Sequence, residues 1–329
     1  MRCNRRILAS LFATILLGSL SLAMLGSPPA LAAELTAPAV EKKVEAPRIP
    51  ADVDYLPDQV YCIPDKDIKL MADVCLPKAG KGPYPVVLCI HGGGWVMGNR
   101  KSNLPLMIKL AQASFVAVSV EYRLAPKYPF PAAIHDVKCA VRWLRANANV
   151  FNIDTDRIAA LGYSAGGQLA GLLGSTTPLD GLEGEGGFPT FSSRVQVVVT
   201  YYGIHDLKEW HKDGNFLARL SLNRFLGDSP ENVGDLYTKA SPITYARRDQ
   251  AAFLLIHGTK DDLVPCQQSE HMDKRLKAAG AEVQLLLIKD APHNFNGEAE
   301  KEADAATIKY LDENLRTKQS AKVADKKRP

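Results

Sequence analysis

The chain has 329 residues, with 40 Lys and Arg against 36 Asp and Glu. The net charge of +4 is small, and three of the positive charges are Arg2, Arg5 and Arg6, so the composition gives no indication of a nucleic-acid-binding surface. The cysteines form no CxxC pair and there is no histidine-rich cluster, so we expect no metal site.

Residues 1–33 have the pattern of a secretory signal peptide. The three arginines precede an apolar run over residues 7–25, and Ala30-Leu31-Ala32 supplies a small-residue cleavage site. The run also approaches the length of a membrane span, so a retained anchor is the alternative. The serines and glycines of the run and the following prolines favour cleavage. We therefore expect a secreted or periplasmic protein that is not membrane-bound after cleavage.

The rest of the chain divides by composition. Residues 34–57 are rich in Pro, Ala, Glu and Lys without periodicity and are interpreted as a loose arm. Residues 58–316 suit one large domain with its own core, and residues 317–329 form a polar, basic tail. In an oxidising compartment, Cys62 and Cys75 are candidates for a disulfide, because they lie near two successive strand-like runs.

Buried apolar runs alternate with amphipathic segments along the domain. The first two predicted strands form an antiparallel hairpin, and continuous apolar runs predict later strands covered on both faces. Apolar spacings of three and four predict helices between them. The predicted strands are residues 59–63, 68–76, 85–90, 115–120, the run before Ser164, 195–202, 251–257 and 283–288; the predicted helices are residues 104–113, 132–147, the segment after Ser164, 267–279 and 299–315.

This alternation predicts an α/β fold with a mostly parallel central sheet and helices on both faces. Residues 204–250 form a long polar excursion with helical stretches. We interpret them as a candidate partial cap over a site, with a simple surface excursion as the alternative. Ligands bind beyond the carboxyl ends of the strands in such sheets.

One serine stands at a predicted strand-to-helix turn. Ser164 is framed as Gly162-x-Ser164-x-Gly166, the pattern of a nucleophile elbow, which projects a hydroxyl away from the backbone. The glycines suit a tight turn with the helix close to the strand. Because the same pattern also occurs in ordinary turns, the assignment depends on the residues that accompany it.

A serine hydroxyl needs a base, and the base needs a carboxylate to orient it. His293 follows the last predicted strand and Asp261 follows the one before, which gives the order Ser, Asp, His found in α/β-hydrolases. Taken singly, the histidine is equally well explained as a polar surface residue. The Asp261-Asp262 pair is equally well explained as a helix cap, and Asp262 is the better candidate for that cap. Their shared position at strand ends favours one catalytic site with Ser164, Asp261 and His293.

A glycine-rich turn follows the strand at residues 85–90. His91-Gly92-Gly93-Gly94-Trp95 lacks the Lys-Ser/Thr of a P-loop and the spacing of a dinucleotide fingerprint, so phosphate binding is disfavoured. Such glycines allow backbone N–H groups to face a developing oxyanion, and we assign this role to Gly92, Gly93 and the N–H of Ala165. We expect His91 to support the turn, and Trp95 and Tyr163 to line the substrate pocket or else the core.

Five ordered motifs resemble one family. They are His91-Gly92-Gly93-Gly94-Trp95, Tyr122-Arg123-Leu124-Ala125-Pro126, Pro129-Phe130-Pro131-Ala132-Ala133, Gly162-x-Ser164-Ala165-Gly166-Gly167 and Asp261-x-x-Val264-Pro265. Together they resemble the hormone-sensitive-lipase-like esterases and the related feruloyl/acetyl-xylan esterase-like α/β-hydrolases.

The resemblance implies hydrolysis of a carboxylic ester through an acyl-enzyme, without cofactor or metal. It matches Asp261, not Asp262, to the acid. Many relatives have Gly-His-Gly around the histidine, where this chain has Pro292-His293-Asn294. We therefore expect the same base on a stiffer loop. The substrate is expected to be a small-molecule or carbohydrate ester with a short acyl group; the alcohol is left open, and the motifs give no indication of the oligomeric state.

Two other functions are alternatives. A serine peptidase or amidase would use the same triad, but related peptidases generally carry a large extra domain for which this chain is expected to have no room. A non-catalytic binding module would usually lack a triad member, whereas all three candidates are present. We therefore expect a serine carboxylesterase.

Overall fold

The computed structural model describes residues 48–317. The predicted signal peptide, most of the predicted arm and the tail from residue 318 lie outside the described residues. The strands of the described part are β1 (Val53–Asp65), β2 (Ile68–Pro77), β3 (Tyr84–Ile90), β4 (Val116–Val120), β5 (Ile153–Tyr163), β6 (Val197–Tyr201), β7 (Ala252–Gly258) and β8 (Val283–Ile288).

The strands form one eight-stranded sheet in the order β1-β2-β4-β3-β5-β6-β7-β8. β2 pairs antiparallel with both β1 and β4, and all other pairs are parallel. The predicted hairpin and the mostly parallel sheet are therefore confirmed. β5 lies between β3 and β6, so the residues that follow β5 and β3 emerge side by side at one edge of the sheet.

Helices cover both faces of the sheet. α1 and α9 pack on one face with residues such as Val87 and Cys89, while α2, α4 and α8 pack on the other with Val86 and Leu88. This alternation along β3 is the period of two that a strand imposes on its side chains. The helices are α1 (Leu104–Gln112), α2 (Ala132–Ala146), α3 (Ala148–Phe151), α4 (Ala165–Ser175), α5 (Leu207–Asp213), α6 (Phe216–Leu226), α7 (Pro230–Ala240), α8 (Gln267–Ala278) and α9 (Gly297–Asp312).

The excursion after β6 consists of α5, α6 and α7. Trp210 on α5 donates from Nε1 to the Leu263 carbonyl at 3.0 Å, and Phe225 on α6 stacks on Trp95 with ring centroids 4.3 Å apart. Gln168 on α4 donates from Nε2 to the Ala240 carbonyl at 2.6 Å. The segment is therefore attached to the loop after β7, to the loop after β3 and to α4, which favours the cap over the surface excursion.

Two details differ from the sequence prediction. β1 begins at Val53, so residues 53–57 belong to the sheet and not to the loose arm; a register shift between Leu56 and Gln59 accommodates Pro57 within the strand. Cys62 does not pair with Cys75. It lies opposite Leu70 in the hairpin while Cys75 lies opposite Tyr55, and both thiols are free.

Within residues 48–317 there is no helix with the length and apolarity that a membrane crossing requires.

Candidate active site

Ser164 occupies a strained backbone conformation between β5 and α4. Its φ of 53° and ψ of −116° lie outside the regions that an L-residue ordinarily adopts. The Ser164 N–H donates to the Tyr201 carbonyl of β6 at 2.9 Å, and its carbonyl accepts from the Gln168 N–H at 3.1 Å. The turn is thus fixed on one side by the neighbouring strand and on the other by the helix.

The glycines around Ser164 are required by close backbone contacts. A Cβ at Gly162 would lie 2.0 Å from the Gly166 carbonyl oxygen, and one at Gly166 would lie 2.3 Å from the carbonyl oxygen of Ile90. The predicted nucleophile elbow is therefore present, with α4 pressed against β5 and β3.

His293 and Asp261 form a pair in loops that follow β8 and β7. His293 Nδ1 lies 2.7 Å from Asp261 Oδ2, and because a carboxylate can only accept, the ring donates from Nδ1. This fixes the tautomer with Nε2 free to act as a base. Asp262 is exposed, so the pairing is with Asp261 and not with its neighbour.

Asp261 is buried and receives several hydrogen bonds. Its Oδ1 accepts from the N–H groups of Leu263 and Val264 at 3.0 and 2.8 Å. Burial alone would raise the pKa of Asp261, but hydrogen bonds from His257 and His293 outweigh it and hold the pKa well below its ordinary value. The carboxylate therefore stays charged, as an acid that must orient and stabilise an imidazolium needs to be.

His257 is a fully buried histidine at the end of β7 that sequence reasoning left without a role. Its Nε2 lies 2.8 Å from the Val264 carbonyl and 3.3 Å from Asp261 Oδ2, so this nitrogen carries the proton. Nδ1 lies 2.7 Å from Ser269 Oγ, whose hydroxyl donates to it. The ring supports the same carboxylate oxygen that His293 uses. A histidine four residues before the acid, at a strand end, was the available signal.

In the His293 loop, asparagine occupies the position of the second glycine of Gly-His-Gly. Asn294 has a φ of 60°, and asparagine adopts this left-handed region more readily than most residues. The His293 ring packs against Tyr202 at 4.4 Å between centroids, and Tyr202 packs against Phe295 at 5.0 Å. These two aromatic residues were not predicted, and they hold the imidazole from one side.

The glycine turn lies beside the serine. A Cβ at Gly92 would lie 2.9 Å from the Tyr163 carbonyl oxygen and 3.4 Å from Ser164 Cβ, so only glycine fits there. His91 donates from Nδ1 to the Gly92 carbonyl at 2.8 Å and stacks on Tyr122. Burial lowers the pKa of His91, against the effect of that hydrogen bond, so the ring stays neutral and supports the turn.

Gly93, Gly94 and Ala165 complete this side of the site. Gly93 and Gly94 have φ values of 117° and 58°, and the Gly93 carbonyl accepts from the N–H groups of Val96 and Met97. Ala165 is the first residue of α4, so its N–H has no partner within the helix and lies at the positive end of the helix dipole. These residues suit the binding of a developing negative charge next to Ser164.

A cavity of about 720 Å³ joins these groups. Ser164, His293, Tyr163 and the three glycines line it. So do residues of the turn before α1, of α1 and of the cap: Ser102, Asn103, Pro105, Leu106, Trp210, Leu217, Ala218 and Ser221. Trp95 does not line it. Trp95 is fully buried, because the turn directs its ring between Phe225 and Trp210, with Nε1 donating to Gln168 Oε1 at 2.9 Å. Of the two expected positions for Trp95, the pocket and the core, the structure therefore shows the core.

A family model described as BD-FAE matches residues 72–276, which is more than half of the chain. The chain belongs to the BD-FAE family. The matched span includes the glycine turn, Ser164 and Asp261 and ends before His293, whose predicted pairing with Asp261 is shown by the structure.

Two solved structures have a fold similar to that of this BD-FAE chain. A truncated form of a carbohydrate esterase from gut microbiota is 26% identical with a TM-score of 0.72, covering 80% of this chain and 96% of that one. A bifunctional GH43-CE protein of Bacteroides eggerthii is 30% identical with a TM-score of 0.70, covering 79% of this chain and 38% of that one. The BD-FAE chain has the α/β-hydrolase fold.

A curated relative is also an esterase by name. Esterase LipC of Mycobacterium tuberculosis is 35% identical over 222 residues, which are 65% of this chain and 54% of that protein. The chain spans about half the length of the curated relatives it matches.

The elbow of this BD-FAE chain gives a stability prediction. Gly162→Ala places a methyl group against the Gly166 backbone and should lower the free energy of unfolding by about 3 kcal/mol, measured by urea denaturation. Gly187→Ala is the matched control, because a Cβ there meets nothing within 4 Å. Equal stability of the two variants would contradict the close approach of β5 and α4.

Proposed function

We propose that the protein is a serine carboxylesterase that hydrolyses short-chain or carbohydrate-linked esters through an acyl-enzyme. The observation that supports this most directly is the placement of Ser164 and His293 on one cavity, with His293 Nδ1 bound to buried Asp261. A base whose Nδ1–H is held by a carboxylate presents Nε2 to the hydroxyl that it must deprotonate.

Acylation begins at the Ser164 hydroxyl. Oγ attacks the ester carbonyl carbon while His293 Nε2 takes the hydroxyl proton, and Asp261 stabilises the imidazolium that forms. The carbonyl oxygen becomes an oxyanion, which the N–H groups of Gly92, Gly93 and Ala165 stabilise. Each such donor contributes about 3 kcal/mol to transition-state binding. Collapse of the intermediate expels the alcohol, which receives the proton from His293.

Deacylation repeats these steps with water. His293 Nε2 takes a proton from water as the oxygen attacks the acyl carbon, and the same donors hold the second oxyanion. The second collapse releases the carboxylic acid and returns the proton to Ser164 Oγ. Asp261 keeps its charge throughout, which its lowered pKa supports.

The substrate class follows from the cavity and from the relatives. Apolar groups such as Leu106, Leu217 and Leu263 line the cavity, and Ser102, Asn103 and Ser221 add hydroxyl and amide groups. A lining of this kind suits a small acyl group joined to a polyhydroxylated alcohol. Two similar structures are described as a carbohydrate esterase and as a GH43-CE protein, which supports carbohydrate esters. Export is part of the proposal and rests on the sequence of residues 1–33.

Ser164→Ala tests the nucleophile. We expect hydrolysis of p-nitrophenyl esters from acetate to palmitate to be concentrated on the short acyl chains, and kcat to fall by about 10⁴-fold or more in the variant. The circular dichroism spectrum should be unchanged, since Ser164 Oγ is not needed for the turn. Undiminished hydrolysis by the folded variant would contradict the proposal.

His257 tests the positioning of Asp261. Loss of its hydrogen bond in His257→Leu should lower kcat about tenfold with KM unchanged, because a hydrogen bond to a charged group contributes about 1.5 kcal/mol. His257→Gln keeps an amide N–H near the position of Nε2 and should recover most of the rate. His135→Leu, which removes a partly buried imidazole on α2, should leave kcat unchanged. A loss in which Gln is no better than Leu would indicate a packing role alone.

The peptidase or amidase alternative is tested by comparing two leaving groups. p-Nitrophenyl acetate and p-nitroacetanilide present the same acyl group as an ester and as an amide. We expect turnover of the ester and no measurable turnover of the anilide, because p-nitrophenolate can leave unprotonated whereas the anilide nitrogen must be protonated before it leaves. Comparable kcat/KM values for both would favour the amidase.

A further inference from the structure

Two cysteine thiols from distant parts of the chain are buried against each other. Cys62 is on β1 and Cys139 is on α2, and the two thiols border the same small space beside Gly186. A Cβ built at Gly186 would lie 3.1 Å from both Sγ atoms, so the two sulfurs are close neighbours. Cys139 Sγ also lies 4.0 Å from the Tyr61 carbonyl.

The contact joins β1, the edge strand of the sheet, to α2, a buried helix on one face of the sheet. β1 is the terminal strand in the sheet order and is hydrogen-bonded to β2 alone among the described strands. Val60 and Ile63 on β1 are 42% and 56% exposed, so the strand has an apolar outer surface as well as a free edge. Such an edge is prone to local opening and to pairing with other chains. α2, in contrast, is buried along most of its length.

We propose that Cys62 and Cys139 form a disulfide that fastens β1 to α2 when the chain folds in the presence of a disulfide oxidant such as oxidised glutathione. One of the two protein thiolates attacks a sulfur of the oxidant, giving a mixed disulfide and one glutathione thiolate. The thiolate of the other cysteine then attacks the protein sulfur of the mixed disulfide and displaces the second glutathione as its thiolate. Two protein thiols lose two electrons and two protons, and two glutathione thiols are produced.

The exchange takes place before the two thiols are buried. Because both thiols are inaccessible in the folded protein, the reaction belongs to the folding chain, before β1 and α2 close over the pair.

The other described cysteines are placed differently. Cys75 and Cys89 pack on the opposite face of the sheet, and Cys266 lies in the loop before α8 and is partly exposed. Tyr61 and Cys139 are 78 residues apart, and the loop that the proposed bond closes has about that length. Closing so long a loop restricts the unfolded chain strongly.

The test is refolding of the full chain from denaturant with either oxidised and reduced glutathione or dithiothreitol, followed by alkylation and trypsin digestion. Trypsin places the five described cysteines in five different peptides, so each pairing has its own mass; Cys62 is within residues 49–66 and Cys139 within residues 139–142. We expect these two peptides to be linked after oxidising refolding, with a Tm about 5 °C or more above that of the reduced protein.

Matched variants separate this bond from other effects of the oxidant. Cys139→Ser should abolish the oxidant-dependent rise in Tm, and Cys89→Ser, which replaces another buried thiol, should retain it. The wild-type mapping remains decisive if either variant folds poorly. Alkylation of both Cys62 and Cys139 after oxidising refolding, linkage of either to another cysteine, or an equal Tm for the linked and reduced forms would overturn the proposal.

Discussion

The positive φ of Ser164 is the constraint on which the site depends. An L-residue in this conformation costs about 1–3 kcal/mol and persists only where its surroundings hold it. Here β6 binds the Ser164 N–H, and every residue of α4 is buried. Since β5 lies between β3 and β6, the same arrangement brings the glycine turn after β3 against the serine. Strand order therefore positions both the proposed nucleophile and the proposed oxyanion donors.

Asp261 connects this centre to the rest of the site. Its carboxylate binds His293 on one side and His257 on the other, and it also accepts from the backbone of Leu263 and Val264. The carbonyl of Leu263 in turn accepts from Trp210 of the cap. The loop that carries Asp261 is thus also the loop that contacts α5 beside the cavity, so the position of the cap and the geometry of the Asp261–His293 pair are linked through one short segment.

The sequence was sufficient for the fold class and the three candidate catalytic residues, because Ser164, Asp261 and His293 each follow the end of a strand that periodicity predicts. The sequence was not sufficient for side chains whose positions depend on tertiary contacts. The sequence left Trp95 between the pocket and the core, and stacking on Phe225 places its ring in the core. His257 ends an apolar run and has the pattern of a core residue. Local spacing could not indicate that Cys62 lies beside the thiol of Cys139 on α2. The start of β1 was missed because Pro57 is unusual within a strand.

The most direct test of the account is labelling of the protein with a p-nitrophenyl phosphonate, which forms a covalent bond with an activated serine. Release of p-nitrophenol would be followed as labelling proceeds, and the modified residue would be located by fragmentation of the tryptic peptide of residues 158–194. We predict one equivalent of label, on Ser164, and none in Asp261→Ala or His293→Ala over the same time. Absence of labelling in the folded wild-type protein, or label on another serine, would contradict the central claim.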